Sequence, residues 1–547
     1  MSENNGKVFV IGIDGATPAL IDKWRGELPN MRAMMESGVY GKLESTMPPA
    51  TSPAWNCMFT GKNPGRLGIY DLYMFPFYRE GGIAVTNYSY QDSPSLWDIL
   101  GSYNQKVGVM NVPVTYPPTQ VNGFMISGGL LTPLYSDADY TYPTHIKEDL
   151  NEVCNGYEIQ PLVDLTLPGR EDEYLEKFYQ NIDKQMIALK YLLGKYEWDF
   201  LTYVFFVTDS VQHYCWHHLD SAHPAYDETR AKEYEKVIKL VYAKVDAAIG
   251  ELRSMLPPDT NFIMVSDHGG GPCYGEFLIN EWLKRQGFLV MKKQTLNLKD
   301  VIQTAMFRIK DLVLTILGPK IAEHIIRVAP KRLLNRFLVK EQYKYQASQL
   351  IDRIDWSRTQ AYAFGSSPQI FINLKGREPH GIVGPEEYEG LKSIIRDLLF
   401  EIKDPKGERK AVTSVLGKEE VYWGKHFDAA PDLLVVMGEF SYVPRDGFGK
   451  DLWVESKVNG AHSKYGIFIA CGPDINKTGE EIRDLKIYDV TPTILHMMGV
   501  PIPKDIDGKV LRDIFAQESE IAKREVQYQT VPEKERIKRR LGRFRAK

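Results

Sequence analysis

Lys7-Val8-Phe9-Val10-Ile11-Gly12-Ile13-Asp14-Gly15 is apolar from Val8 to Ile13 and then stops on a carboxylate and a glycine. A strand with one wet face would alternate polar and apolar residues. An unbroken apolar run of this length predicts a parallel strand buried on both faces. Similar runs recur at Lys106–Val112, Phe200–Val207, Asn261–Val265, Asp432–Met437 and Gly466–Ala470, with helical patterns between them such as Tyr174–Leu193 and Ala231–Leu256. Strands alternating with helices predict an α/β fold: a doubly wound, mostly parallel sheet sandwiched by helices. Asp14, Asp209 and the pair Asp267-His268 each follow such a run. Ligands of open α/β sheets gather at the carboxyl ends of strands, so these residues group together.

The rest of the chain bounds the reading. With 547 residues the chain exceeds what one core fills, so a large catalytic domain with insertions, or about two to four domains, is expected. The parts are 1–290 and 346–516 as two halves of a catalytic core, 291–345 as a helical insertion or cap, and 517–547 as a basic C-terminal tail. Apolar residues at helical spacing with Lys and Arg between them mark 301–317 as amphipathic. That stretch and the cationic residues 534–547 are candidates for peripheral contact with an anionic membrane or a partner. A net charge of −4 argues against a nucleic-acid-binding surface. Five scattered cysteines without a CxxC pair indicate neither a disulfide framework nor a thiolate zinc site. With no secretory leader pattern and no long apolar span, the expected location is the cytoplasm, peripheral at a membrane if those basic segments engage one. Oligomeric state is not readable.

The chemistry lies in short motifs. In Asp209-Ser210-Val211-Gln212-His213 a carboxylate and an imidazole four positions apart share one helix face, a chelating geometry. Asp267-His268 precedes three glycines, which permit a turn and close ligand approach. His462, in Asn459-Gly460-Ala461-His462-Ser463, gains weight only from this set. Carboxylates and neutral imidazoles suit two divalent metal ions, zinc foremost and manganese as the alternative. Pro49-Ala50-Thr51-Ser52-Pro53 supplies hydroxyls where a helix is expected to start, since proline fits a first turn. Free N–H groups there attract phosphate oxygens, and metal coordination would lower the pKa of Thr51, the candidate nucleophile. Spacing alone leaves Ser52 open.

Taken in order, VIGIDG at 10–15, PPATSPAWNCMFTGKNPGRLGIYD at 48–71, TDSVQHYCWHH at 208–218, VSDHGGG at 265–271, GAHSKYGIFIACGPDI at 460–475 and YDVTPTILHMMGVPIPKDIDGKVL at 488–511 resemble the alkaline phosphatase superfamily, in its type I phosphodiesterase/nucleotide pyrophosphatase branch. The resemblance implies a two-metal site, with Asp14, Thr51, Asp267 and His268 on one ion and Asp209, His213 and His462 on the other. It favours Thr51 as nucleophile. The implied activity is hydrolysis of a small phosphorylated substrate, a diester ahead of a monoester. A phosphoglycerate-mutase-like phosphotransferase and a non-catalytic binding protein retaining the fold are the alternatives. The chain departs from the pattern at Pro64-Gly65-Arg66-Leu67-Gly68-Ile69, which lacks the family's histidine. Where nucleotide pyrophosphatases place a phosphate-holding asparagine it has Asp71-Leu72-Tyr73, with Asn56 or Lys62 as candidate substitutes for substrate binding.

Overall fold

The computed structural model describes residues 6–74, 84–85, 88, 91, 93–133, 139–161, 169–292, 350–407 and 410–530. The amphipathic stretch 301–317 and the cationic residues 534–547 lie outside the described residues.

The first apolar run forms the strand Val8–Ile13 near the middle of a nine-stranded sheet. Across the sheet the order is Glu480–Lys486, Val39–Glu44, Tyr465–Cys471, Asn261–Val265, Val8–Ile13, Phe200–Phe205, Val107–Val112, Gly123–Ser127 and Thr141–Tyr142. The central strands pair in parallel, and Tyr465–Cys471 enters antiparallel between Asn261–Val265 and Val39–Glu44. Successive side chains of Val8–Ile13 point to opposite faces. Phe9, Ile11 and Ile13 enter one core, roofed by the helices Glu171–Lys195 and Val237–Met255. Val8 and Val10 enter the other, covered by the helices Thr51–Thr60 and Val490–Met497. Both faces are dry, so the strand carries no polar alternation.

The run ending at Met437 departs from the expected parallel sheet. Leu433–Met437 belongs instead to a separate four-stranded antiparallel sheet, ordered Ala361–Phe364, Gln369–Ile372, Leu433–Met437 and Val412–Gly417, with its own core around Trp282, Ile372 and Ile395. All five of its residues are buried, and burial on both faces produces the same apolar run in either kind of sheet. The span 346–516 therefore holds a smaller antiparallel unit as well as sheet strands of the main core. Met291 pairs antiparallel with Ile354, and residues 293–349, nearly all of the expected helical insertion, lie outside the described residues.

The boundary drawn at 517 also shifts. Residues 517–530 fold onto the main core: Ile521 is buried, its carbonyl bonds to His496 Nε2, and Tyr528–Gln529 pairs with Ile502–Pro503. A few apolar residues among many charges suffice to dock so short a segment, and composition averaged over the whole tail hides them. All five cysteines are buried free thiols. Among the described residues no helix is long and apolar enough to cross a membrane.

Candidate active site

The chain reverses just after Val8–Ile13. Gly15 takes φ +68°, a conformation that favours glycine, and its N–H donates to Asp267 Oδ1 at 3.2 Å. Gly12, one turn of the pleat earlier, makes room for Trp55. A Cβ at Gly12 would lie 2.4 Å from the indole. Packed across the strand, Trp55 donates its Nε1–H to Asp14 Oδ2 at 2.9 Å. Thr208 Oγ1 bonds the Asp14 carbonyl and Gln212 Nε2 the Gly15 carbonyl, so the helix Val207–Cys215 is tied to this same turn.

Asp209 and His213 sit one turn apart on that helix, with Asp209 Oδ1 at 3.3 Å from His213 Nε2. The three glycines after His268 do not make a left-handed turn. Gly269–Pro272 is a short strand paired antiparallel with Gly460–Ser463, and Gly270 stands opposite His462. Their missing side chains serve close approach: a Cβ on Gly270 would meet Gln212 Oε1 at 2.2 Å. His462 Nε2 thereby reaches 3.6 Å from Asp209 Oδ1 and 3.0 Å from His213 Nε2. Its ring also stacks on His268 with centroids 3.7 Å apart.

Each imidazole is oriented by a backbone carbonyl. His213, His268 and His462 donate Nδ1–H to Gly460, Gly269 and Pro49 respectively. All three Nε2 atoms are left bearing lone pairs and aimed into the cluster, the arrangement by which outer bonds fix metal-ligating histidines. Thr51, first residue of the helix Thr51–Thr60, places Oγ1 3.1 Å from His268 Nε2. Ser52 Oγ is buried beside it without a hydrogen-bond partner.

The electrostatics of the cluster favour a cation. Asp14, Asp209 and Asp267 are all buried. Burial, then Asp267 and Asp209, push the Asp14 carboxyl well above its usual range. Burial and Asp209 together raise Asp267 to about 6, against the opposing pull of His268. Burial would raise Asp209 as well, but His213, His462 and His268 reverse that and hold it low. Burial and His268 push His462 well down. Asp14 Oδ1 and Asp267 Oδ2 have no hydrogen-bond partner. Buried polar atoms in that state cost free energy, and a divalent cation relieves it. Two overlapping sets offer ligand atoms within 4.8 Å of one another: Asp209 with His213 and His462, and Asp14 with Asp209 and His268. Nitrogen and oxygen donors in this mixture fit zinc or a related first-row ion.

The cluster borders a cavity of about 230 Å³ lined on one side by Thr51, His213 and His462. The smaller antiparallel unit and its extension supply the opposite wall, including Val435, Tyr442 and Arg445. Arg445 Nη2 donates to Glu276 at 2.8 Å. Nothing in Tyr442-Val443-Pro444-Arg445 signalled this role, because the register that brings it to the cavity depends on pairing with Gly275–Leu278. Trp55, Thr208 and Gln212 were likewise silent in the sequence, although Trp55 stands one helical turn from Thr51 and Gln212 one from Asp209.

Seven predicted residues thus come together: Asp14, Thr51, Asp209, His213, Asp267, His268 and His462. Two do not. Lys62 lies beyond the far end of the Thr51–Thr60 helix, where its Nζ bonds Asp505 at 2.6 Å and Ser93 at 3.2 Å. Asn56 turns its amide back to the Ser52 carbonyl at 2.7 Å. Neither lines the cavity. Helix direction explains both, since five or more residues past Thr51 the chain has climbed away from the strand ends.

No curated protein matches the sequence. Among solved structures, murine ectonucleotide pyrophosphatase/phosphodiesterase 5, as an inactive variant in complex with AMP, is similar at TM-score 0.49 and 13% identity, covering 93% of this chain and 100% of its own. The human ectonucleotide pyrophosphatase/phosphodiesterase 5 is similar at TM-score 0.47 and 13% identity, covering 90% and 95%. Residues 8–465, which include every residue of the cluster, match the type I phosphodiesterase/nucleotide pyrophosphatase family, and the chain belongs to that family of phosphoric ester hydrolases.

Proposed function

We propose that the protein cleaves phosphoric diesters with Thr51 as nucleophile, at a site where Asp14, Asp267 and His268 with Thr51 hold one divalent ion and Asp209, His213 and His462 hold a second. The observation that carries this reading is the pair of buried, unpartnered carboxylate oxygens, Asp14 Oδ1 and Asp267 Oδ2, set among imidazoles whose Nδ1 atoms are already engaged. Asp209 belongs to both sets of ligand atoms and would add its charge to the holding of either ion. Zinc fits the donors best, with manganese as the alternative. Bound ions would supply Lewis acidity, lowering the pKa of the Thr51 hydroxyl and stabilising charge on the attacking and leaving oxygens.

The chain's own residues position the substrate. Thr51 opens a ten-residue helix, so the positive end of that helix faces the phosphoryl oxygens. As the Oγ–phosphorus bond forms, the bond from phosphorus to the leaving alcohol breaks, and the proton lost by Thr51 ends on that alcohol. Water then cleaves the threonine phosphodiester, releasing a phosphoric monoester and restoring the hydroxyl. Arg445 on the opposite wall offers a cation to an anionic substrate, and the apolar residues around it exclude water from the reacting group. Hydrolysis of bis-p-nitrophenyl phosphate by the zinc-loaded protein tests the assignment. Thr51→Ala is expected to lose at least about 1,000-fold in kcat while Ser52→Ala retains most activity. Wild-type rates in Thr51→Ala would overturn the nucleophile.

A further inference from the structure

A second cluster of ligating side chains lies where the helix Glu171–Lys195 meets the short turn Trp216–His218. Glu171 is the first residue of that helix, and His217 and His218 follow directly on the helix that carries Asp209 and His213. One ligand atom from each of Glu171, His217 and His218 lies within 4.8 Å of the other two. Glu171 is 4% exposed and His218 2%. Three polar atoms here are buried with no hydrogen-bond partner: Glu171 Oε2, His217 Nδ1 and His218 Nδ1. Ordinary packing satisfies such atoms, and an ion would supply the partner that Glu171 Oε2 and His217 Nδ1 lack.

Their protonation fits a cation. His218 Nε2 lies 3.3 Å from Glu171 Oε1, so the nitrogen that would ligate an ion beside this carboxylate is Nε2, with the ring proton on Nδ1. Burial, then His218 and His223, lower His217 to about 4, and burial lowers His218. Both rings are therefore neutral near pH 7, the form that ligates. Burial opposes ionisation of Glu171, but Arg230, donating to Oε1 at 2.5 Å, outweighs it and keeps the carboxylate charged. Arg230 brings positive charge to the far oxygen, and Asp227 lies near enough to His218 to offset part of it. His223, the next imidazole, is engaged by the carbonyls of Cys273 and Asn459 and is not available. His217 is only half-buried, which gives an ion a way in.

We propose that Glu171, His217 and His218 bind a divalent transition-metal ion of the zinc class at a structural site separate from the catalytic cluster. Two nitrogen donors and one carboxylate are the ligand types zinc takes, with a fourth position open to water. The ion would clamp the start of the helix Glu171–Lys195 to the end of the helix Val207–Cys215, and so brace the segment that presents Asp209 and His213.

Zinc content of the full chain tests the site. Wild-type, His217→Gln, Glu171→Gln and Asp209→Asn proteins are loaded with excess zinc, desalted and analysed for metal per chain by plasma emission spectrometry. His217→Gln and Glu171→Gln are each expected to carry about one zinc ion fewer than wild type, while bis-p-nitrophenyl phosphate hydrolysis stays within about 3-fold. Asp209→Asn should instead lose metal together with activity. Unchanged zinc in both His217→Gln and Glu171→Gln would overturn the site. Full zinc and full activity in Asp209→Asn would overturn the catalytic assignment and leave this one standing. If one variant fails to fold, judged by circular dichroism, the other decides the outcome.

Discussion

Asp267→Asn should stabilise the metal-free protein. The carboxylate accepts one hydrogen bond, from Gly15 N–H to Oδ1, while Oδ2 is unpartnered and lies 3.1 Å from His268 Nε2. Asparagine keeps the shape and the acceptor but removes the charge. In the fold Asp267 titrates at about 6 against an ordinary 3.8, mainly from burial and secondly from Asp209, with His268 opposing. That displacement is worth about 3 kcal/mol of folding free energy. The sign follows from the direction. A carboxyl whose folded pKa is raised costs nothing below about pH 4, costs progressively more as pH rises to about 6, and carries the full penalty above that. At roughly 1–2 °C per kcal/mol in a chain this long, Asp267→Asn in chelator at pH 7.5 should melt about 3–6 °C above wild type. At pH 5 the gap should shrink by about half. Zinc should reverse the ranking, because only wild type retains the full ligand set. Scanning fluorimetry with and without chelator reads all of this. A metal-free variant that melts at or below wild type at pH 7.5 would refute the claim that these carboxylates are held under electrostatic stress for a cation.

Gly460→Ala should cost metal affinity without touching a ligand. Its Cβ would lie 2.3 Å from the Gln212 carbonyl, forcing the Gly460–Ser463 strand off the helix and breaking the His213 Nδ1–H bond to Gly460, so zinc affinity by competition with a chromogenic chelator should fall about 10–100-fold. Arg377→Met should destabilise the smaller antiparallel unit by about 3–5 kcal/mol, because both Asp432 carboxylate oxygens accept from its guanidinium at 2.6 Å in a buried setting; the readout is limited proteolysis within residues 350–440. Lys62→Ala should leave zinc content unchanged, since its ammonium serves Asp505 rather than the cluster, and metal analysis beside wild type checks it.

The centre of the main sheet was legible because its strands are dry on both faces and leave unbroken apolar runs, and because carboxylates and an imidazole stand at the ends of those runs. Asp14, Asp209, Asp267 and His268 were legible for the same reason and His213 by the four-residue step from Asp209, whereas Thr51 and His462 gained their weight from the set and the family resemblance. What escaped was set by pairing between distant segments. Leu433–Met437 reads like any buried strand, and only its neighbours Gln369–Ile372 and Val412–Gly417 place it in the antiparallel unit. Asn56 and Lys62 were offered as substitutes for a missing phosphate-holding asparagine, but a helix carries residues 8 Å or so away within five or six positions at about 1.5 Å each. Arg445 had no local signature at all.

The fate of Asp71 joins these threads. It stands near the position where nucleotide pyrophosphatases keep a phosphate-holding asparagine, yet its carboxylate is committed elsewhere. It accepts from Ser366 N–H at 2.9 Å, Ser366 Oγ at 2.8 Å and Ser367 N–H at 2.9 Å. Ser366 and Ser367 belong to the turn of the smaller unit and themselves line the cavity. The Ser366 carbonyl in turn accepts from Arg445. Asp71 therefore fastens the wall that carries Arg445 against the half of the site that carries Thr51, and an asparagine with one acceptor oxygen could not hold the same three donors. The attacking side of the site is built from the main sheet and follows the family pattern. The facing wall is built by the antiparallel unit and its neighbouring strands, held in place through Asp71, Ser366 and Ser367.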